Sequence, residues 1–357
     1  MMIPPNITNP GQLTQNDVPH PRTGHSLVTV HDSLILYGGF DYNTGLEYDD
    51  LWKYNYVGGI WKNYRKPQEM TNATIMSSIC VVGDFIYIFG GSGFPLGDRM
   101  SNFLVSFNVK NQTWQKLPQL NNNDQNIPPV MYGSSMVHFN GSLYLFGGYD
   151  GYEFLNSMFK FCLETQEWSR VPQDGEIPPP DYRVFGTVFQ NQYYCFGGIG
   201  SYDSKRFEDV KVFDFSTNTW IIKKATSKVG QYPCERIQES FSFSADYGYL
   251  TGGLSEYRYL DDIWKIDLRT LEWEKFEENL GAGRYYHATS IVDNDLLYSF
   301  GGVCQNVDVK NELKRFILRP LSLYRFALES LSQSIRIKGI HPCLPTSIQD
   351  ELDFTLR

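Results

Sequence analysis

Four arginines precede apolar segments of the chain at similar places, and their side chains are the strongest candidates for chemistry. They are Arg22, Arg183, Arg236 and Arg284. A guanidinium group can bind a carboxylate through two parallel hydrogen bonds. A cluster of these groups would therefore suit the free C-terminus of a peptide or an acidic side chain. The alternative is that the arginines are structural, paired with nearby Asp and Glu or covering tyrosine rings.

Aromatic residues accompany these arginines. Phe40 and Tyr149 each follow a glycine pair, and Met131-Tyr132 stands where the other repeats carry arginine. Rings beside guanidinium groups also suit a carboxylate ligand. The sequence therefore predicts a substrate-binding set that comprises Arg22, Phe40, Tyr132, Tyr149, Arg183, Arg236 and Arg284.

The sequence contains no recognisable catalytic constellation. It has no nucleophile elbow, no H-E-x-x-H motif and no glycine loop for phosphate, and its six histidines are scattered. His25 and His287 fall at equivalent positions of a repeat, which favours packing residues over ligands or bases. We expect no catalytic residue, no metal and no cofactor, and therefore not an enzyme.

Glycine pairs divide the chain into six modules. They recur at intervals of about 50 residues, and each closes an apolar run. A tryptophan follows five of them at a steady offset. In the first module, residues 25–30, 33–37 and 50–56 and a segment beginning near Trp61 read as four short antiparallel strands, a to d. The pairs are at Gly38-Gly39, Gly90-Gly91, Gly147-Gly148, Gly197-Gly198, Gly252-Gly253 and Gly301-Gly302.

This pattern resembles kelch repeats. The resemblance implies an all-β, six-bladed propeller over residues 1–319, followed by a helical segment over residues 320–357. The sixth module has a strand c at residues 313–319 but no fourth strand, so we expect residues 1–18 to supply it. Strand a crosses the propeller and strand b returns, so the d–a and b–c loops share one face. That topology gathers the arginines and aromatic residues near the mouth of the central channel.

The segment after Arg319 has a different character. Its apolar residues fall near helical spacing, so residues 322–334 read as an amphipathic helix, and residues 346–352 could begin a second one. The first stretch resembles the BC box of elongin-binding proteins, at Ser322, Leu323, Ala327 and Leu331, with alanine where cysteine is usual. Cys343, Leu344 and Pro345, with Ile348 and Leu352, resemble the second half of a SOCS-type box. The alternative is a helical tail that only packs on the propeller.

Residues 91–114 and 132–148 resemble the kelch-domain substrate receptors of cullin-RING ubiquitin ligases, and the likeness extends over about residues 19–352. Arg22, Arg183 and Arg236 align with arginines of that family, whereas Arg284 does not align clearly. The resemblance implies a receptor that binds C-terminal degrons at its mouth. It also implies that Leu323, Phe326, Ala327 and Leu331 hold elongin B/C and a cullin-RING module. The alternative function is a kelch interaction scaffold in signalling or the cytoskeleton.

Composition limits the other classes of function. The chain has 357 residues and a net charge of −9, which argues against a nucleic-acid partner. No segment approaches the roughly 20 apolar residues of a membrane span. The six cysteines form no C-x-x-C pair, so neither zinc nor a disulfide framework is expected. We expect a cytoplasmic protein, with the nucleus as a second location.

Overall fold

A computed structural model describes residues 18–67, 70, 73–118, 124–199, 206–256, 258–305, 308–309, 311–338, 345 and 348. Its architecture is a six-bladed β-propeller followed by one α-helix. The predicted fold class is therefore confirmed. The prediction that residues 1–18 complete the sixth blade lies outside the described residues, apart from Val18, and so does most of the predicted second helix.

The first blade shows how the pattern folds. Its strands are β1 (Ser26–Val30), β2 (Ser33–Tyr37), β3 (Leu51–Asn55) and β4 (Ile60–Tyr64), joined antiparallel in chain order. Every residue of β2 is buried, because both faces of this strand meet neighbouring blades. The outermost strand β4 is largely exposed. Blades two and three repeat this order with β5 (Ser78–Val82), β6 (Phe85–Phe89), β7 (Leu104–Asn108), β8 (Thr113–Lys116), β9 (Ser135–Phe139), β10 (Ser142–Phe146), β11 (Met158–Cys162) and β12 (Trp168–Arg170).

Blades four and five each gain a short fifth strand. The linkers that enter these blades run parallel to the outermost strand and cover its edge. The strands are β13 (Asp174–Gly175), β14 (Val184–Phe189), β15 (Gln192–Gly197), β16 (Asp209–Asp214), β17 (Thr219–Lys224), β18 (Thr226–Ser227), β19 (Ser240–Phe243), β20 (Tyr247–Thr251), β23 (Asp262–Asp267) and β24 (Glu272–Asn279), with a two-stranded hairpin of β21 (Leu254–Ser255) and β22 (Arg258–Tyr259) in the b–c loop.

Blade six has three strands among the described residues. β26 (Ala288–Val292), β27 (Leu296–Phe300) and β30 (Leu313–Ile317) form its sheet. A small separate sheet, formed by the d–a and b–c loops of this blade, contains β25 (Arg284–Tyr285), β28 (Val303–Cys304) and β29 (Asp308–Val309). Within the described part of the chain, β30 hydrogen-bonds to β27 alone, as a blade lacking its fourth strand requires.

The glycine pairs link successive blades. All twelve glycines have positive φ, from 54° to 112°, a region that side-chain-bearing residues rarely occupy. In five of the six pairs, the second glycine donates its N–H to a carbonyl in the next blade, as from Gly302 to Arg22 (3.0 Å) and from Gly148 to Asp181 (2.8 Å). A Cβ on Gly301 would lie 2.5 Å from the Arg22 carbonyl. The pairs therefore serve close backbone contact between blades.

The core is distributed over the six seams between blades. Each seam contains one cluster of buried apolar side chains. Trp168, Trp220 and Trp273 are fully buried in three of these clusters, so these three repeated tryptophans pack between blades.

The helix α1 (Leu323–Lys338) covers the seam between blades six and one. Its Leu328 lies in the same apolar cluster as Trp52 and Phe300. Its Arg325 reaches Asp293 at 2.9 Å and lies 4.0 Å from the centre of the Tyr56 ring. Asp293 and Tyr56 are in the a–b and c–d hairpins, so the helix docks near the face opposite the d–a loops. No helix among the described residues is long and apolar enough to cross a membrane.

Candidate functional site

Six residues, one from each blade, form the rim of the central channel. All six have positive φ, and backbone hydrogen bonds join five of the six successive pairs of rim residues. Met76 N–H donates to Gly24 (2.7 Å), Gly133 to Met76 (2.9 Å) and Arg183 to Gly133 (2.7 Å). Of the six rim residues, only Arg183 carries a charge. The rim consists of Gly24, Met76, Gly133, Arg183, Gln238 and Tyr286.

This geometry corrects the predicted equivalence of the four arginines. The backbone carbonyls of Arg22 and Arg284 each accept a hydrogen bond from the second glycine of a glycine pair. In blade four, the carbonyl of Asp181 is the acceptor. Arg183 stands two residues later, at the place that Gly24 holds in blade one. The sequence alignment of Arg183 with Arg22 was therefore wrong by two positions, and this shift is what brings Arg183 to the channel.

Arg22 and Arg236 are structural residues. The Arg22 side chain is fully buried and binds both carboxylate oxygens of Asp50, at 2.5 and 3.1 Å. It also stacks 4.2 Å from the centre of the Tyr48 ring. Arg236 binds Asp262 in the same way, at 2.6 and 3.0 Å. Neither guanidinium group is open to a ligand, so the structural alternative holds for these two residues.

Arg284 is also buried, but it is not paired in the same way. Its Nε donates to the Ala282 carbonyl at 3.4 Å, and its Nη1 has no hydrogen-bond partner in the described part of the chain. Its side chain lies behind the rim, with 1% of its surface exposed. It therefore contributes positive charge near the mouth without direct access to it.

Arg183 is the arginine that lines the channel. Its Nη2 donates to the Glu239 carbonyl at 2.9 Å, while its Nε has no partner among the described residues. Burial lowers the pKa of Arg183, yet an arginine stays charged in proteins. Its guanidinium group lies 5.9 Å from the centre of the Tyr286 ring. An anion at the mouth would meet this incompletely satisfied charge.

The predicted aromatic residues come together beside the rim. Phe40 and Tyr132 are buried in one cluster, with Tyr149 half-buried against it. The Tyr132 and Tyr149 rings are 5.6 Å apart, edge to face. Tyr182 and Tyr286, absent from the predicted site, belong to the same cluster. Burial raises the pKa values of Tyr132 and Tyr286 to about 12, so their hydroxyl groups stay protonated and can donate to an anion.

The blade-four and blade-five side of the mouth is polar instead. Among the described residues, no backbone hydrogen bond joins rim residues Arg183 and Gln238, and the Arg183 side chain spans this junction. A buried ion pair between Arg206 and Glu239 lies behind it. Sequence reasoning missed this pair, because no motif links residues from different blades.

The channel below the rim has a volume of about 600 Å³. Hydroxyl groups of the innermost strands bond across the seams, as between Thr29 and Ser290 at 2.7 Å. His25 and His287 lie at the blade seams, buried, with His287 bonded to the Thr251 hydroxyl at 2.8 Å. The two histidines are therefore packing residues, as expected. Within the described residues, no cluster of His, Cys, Asp and Glu could hold a metal ion.

The C-terminal helix presents a second candidate surface. Leu323 is 88% exposed, Phe326 is 52% exposed and Ala327 is also exposed. Leu331 is half-buried and packs against the seam cluster of blades six and one. Three of the four residues predicted to bind elongin are thus accessible, whereas Leu331 contributes to docking of the helix.

Comparisons with known proteins agree with the repeat pattern. The model of the KLHDC2/KLHL20/DRC7 Kelch-repeats domain matches residues 10–198 and 133–336. Kelch domain-containing protein 10 of Homo sapiens is 28% identical over 346 residues, which cover 92% of this chain and 77% of that protein. The Drosophila melanogaster homolog of that protein is 23% identical, over 80% of this chain and 52% of its own length. Leucine-zipper-like transcriptional regulator 1 of Mus musculus is 25% identical, over 75% of this chain and 32% of its own.

Proposed function

This chain belongs to the kelch-repeat family of β-propellers and has a protein-interaction role, and we propose that it is the substrate-recognition subunit of a cullin-RING ubiquitin ligase. In this role, the propeller binds the C-terminal tail of a substrate at its mouth, and helix α1 binds elongin B/C. The chain itself breaks and forms no bonds. It raises the local concentration of the substrate near a ubiquitin-charged partner. The cytoplasm, with the nucleus as a second location, is the compartment that we propose.

The mouth supports the tail-binding half of the proposal. Arg183 is a cation at the channel, and its guanidinium group lies 5.9 Å from the centre of the Tyr286 ring, which packs against the cluster of Phe40 and Tyr132. A terminal carboxylate would complete the hydrogen bonding of Arg183, and protonated tyrosine hydroxyl groups would add donors.

One observation carries the adaptor half of the proposal. Helix α1 is held on the propeller by Arg325 and Leu328, yet its opposite face exposes Leu323 and Phe326. Large apolar side chains on a firmly docked helix are costly to leave in water without a partner. The resemblance of residues 322–331 to a BC box identifies elongin C as the proposed occupant of this face.

Co-expression with elongins B and C tests the proposal. We expect the wild-type chain to purify as a stoichiometric complex and Leu323→Asp to purify alone, because a charge would enter an apolar contact. Val229→Asp is the matched control, since Val229 is likewise exposed, at 69%, but lies in the linker to blade five. This control should retain the complex.

The same experiment decides between the receptor and a scaffold. If the wild-type chain recovers no elongin although it is folded, the ubiquitin-ligase proposal is wrong and helix α1 serves only to cover the seam. If Val229→Asp also loses the complex, the contact does not depend on the proposed face of the helix.

A further inference from the structure

An apolar crest stands above the mouth on the b–c loops of blades one and two. It consists of Tyr42, Leu46, Phe94 and Leu96, which are 37%, 61%, 40% and 36% exposed. The b–c and d–a loops of a propeller form one face, so the crest lies on the same face as the mouth. Four large apolar groups gathered on adjacent loops are a candidate binding surface.

The two loops of the crest are fixed to each other. Phe94 donates its N–H to a Glu47 carboxylate oxygen at 2.8 Å, and Arg99 forms an ion pair with the same carboxylate. Gly45 has a φ of 73°, and a Cβ there would lie 2.7 Å from the Phe94 ring. The Asp41 carboxylate caps the turn by accepting the Asn43 N–H at 2.8 Å. The crest is thus preformed, and its order does not depend on burying its apolar groups.

The crest is continuous with the aromatic cluster at the mouth. The Phe94 ring is 5.2 Å from the Phe40 ring, and Phe40 lies in one cluster with Tyr132. Tyr42 is 6.3 Å from Phe40 on the other side. A chain leaving the channel on this side would pass from the rim onto the crest within a few residues, at about 3.3 Å per extended residue.

We infer that the crest binds apolar side chains of the ligand a few residues before its C-terminus. This inference rests on the proposed tail binding at the mouth. The occupant is an extended peptide, because the crest is continuous with the aromatic cluster at the mouth where the tail is proposed to bind. Arg99, the one basic residue of these two loops, is paired with both Glu47 and Asp98, so the crest offers no free cation to an acidic segment and its apolar side chains supply the contact. Four side chains are also too few for the roughly 800 Å² per partner that a stable dimer buries.

A displayed library of random dodecapeptides with free C-termini provides the probe. Peptides selected on the wild-type chain should be enriched in Leu, Ile, Val and aromatic residues within one fixed window upstream of the last residues. Selection on Leu46→Ser or on Phe94→Ser should lose this enrichment. Selection on Val229→Ser, which removes an exposed side chain far from the crest, should keep it.

The best selected peptide is then synthesised with a carboxylate or a carboxamide end. We expect Leu46→Ser and Phe94→Ser each to raise its Kd about fivefold to tenfold, and Val229→Ser to leave the Kd unchanged. Leu46→Ser controls for a loss of stability in Phe94→Ser. Leu46 is the most exposed of the four side chains, so its replacement should leave the melting temperature unchanged.

The outcomes separate the two proposals. If carboxamide peptides bind as well as carboxylate peptides, or no peptide is selected, the proposed tail binding is wrong and the inference with it. If the free carboxylate is required but the upstream enrichment is absent or survives both crest variants, only the crest inference is wrong. If the chain dimerises and Phe94→Ser abolishes the dimer, the crest binds a second copy and the inference is overturned.

Discussion

At the residue scale, arginines from corresponding loops have different roles because their positions and partners differ. Although burial opposes it, the hydrogen bonds and charge of Arg236 hold the pKa of Asp262 below its ordinary value. Both Nη groups of Arg236 donate to the carboxylate of Asp262, so this ion pair has no Nη group left for a ligand. Arg183 has only a carbonyl as hydrogen-bond acceptor among the described residues. One arginine therefore stabilises a blade, and the other is available to a ligand.

Matched substitutions at these two arginines should separate stability from binding. Arg183→Gln should weaken binding of a carboxylate-ended peptide by about 2 kcal/mol, or roughly 30-fold. Its free energy of unfolding should change by less than about 1 kcal/mol. Arg236→Gln should lose about 3 kcal/mol of stability, because a buried carboxylate is left unpaired, while the folded fraction binds normally. Urea unfolding and fluorescence anisotropy measure the two quantities.

The opposite pattern would refute this division of roles. If Arg236→Gln weakens binding as much as Arg183→Gln at a temperature where both remain folded, the buried arginine reaches the ligand. A carboxamide-ended peptide serves as the control, because its weaker binding should be insensitive to Arg183→Gln.

His25 should make the propeller sensitive to mild acid. Burial, with the charges of Arg22 and Arg183 added, lowers the pKa of His25 to about 3, against about 6.5 in an unfolded chain. Below pH 6.5, His25 binds a proton in the unfolded chain but stays neutral in the folded chain. The free energy of unfolding therefore falls as the pH falls, by up to about 1.4 kcal/mol per pH unit, until the pH reaches about 3.

A variant without this titration isolates the contribution of His25. Between pH 6.5 and pH 4.5, the wild-type chain should lose about 2 kcal/mol more stability than His25→Gln. Urea unfolding at the two pH values measures the difference. Equal losses in the two proteins would show that His25 is protonated in the folded state.

At the element scale, the sequence predicted the strands well and the loops poorly. The glycine pairs placed β2 at Ser33–Tyr37, because a strand must end where the backbone enters positive φ. The d–a loop of blade four was misaligned because its rim residue is Arg183, although glycine occupies that position in blades one and three. The left-handed backbone at Arg183 depends on its bond to Gly133 in another blade, which spacing within one module does not reveal.

The C-terminal helix shows the same limit. Apolar spacing predicted a helix over residues 322–334, and α1 spans Leu323–Lys338. Spacing did not reveal which face would dock, because that depends on distant partners. Arg325 contacts Tyr56 in blade one and Asp293 in blade six. These contacts turn Leu331 toward the propeller and leave Leu323 and Phe326 exposed.

At the scale of the whole molecule, the mouth and the helix occupy opposite ends of the propeller. The rim is formed by d–a loops, whereas α1 docks beside the a–b and c–d hairpins of blades six and one. A ligand at the mouth and a partner on α1 can therefore bind together without contact. The rigid blades fix the distance between them, as a receptor that presents a substrate to a second protein requires.

Closure of the ring remains a prediction at this scale. Propellers avoid an open sheet edge, and among the described residues β30 is bonded on one side only. If residues 1–18 supply the fourth strand of blade six, deleting residues 2–17 should lower the melting temperature by about 5 °C or more. Adding a synthetic peptide of residues 1–18 should restore it, whereas a scrambled peptide should not. An unchanged melting temperature would show that blade six is stable with three strands, its seam with blade one held by Leu328 and Arg325 of α1.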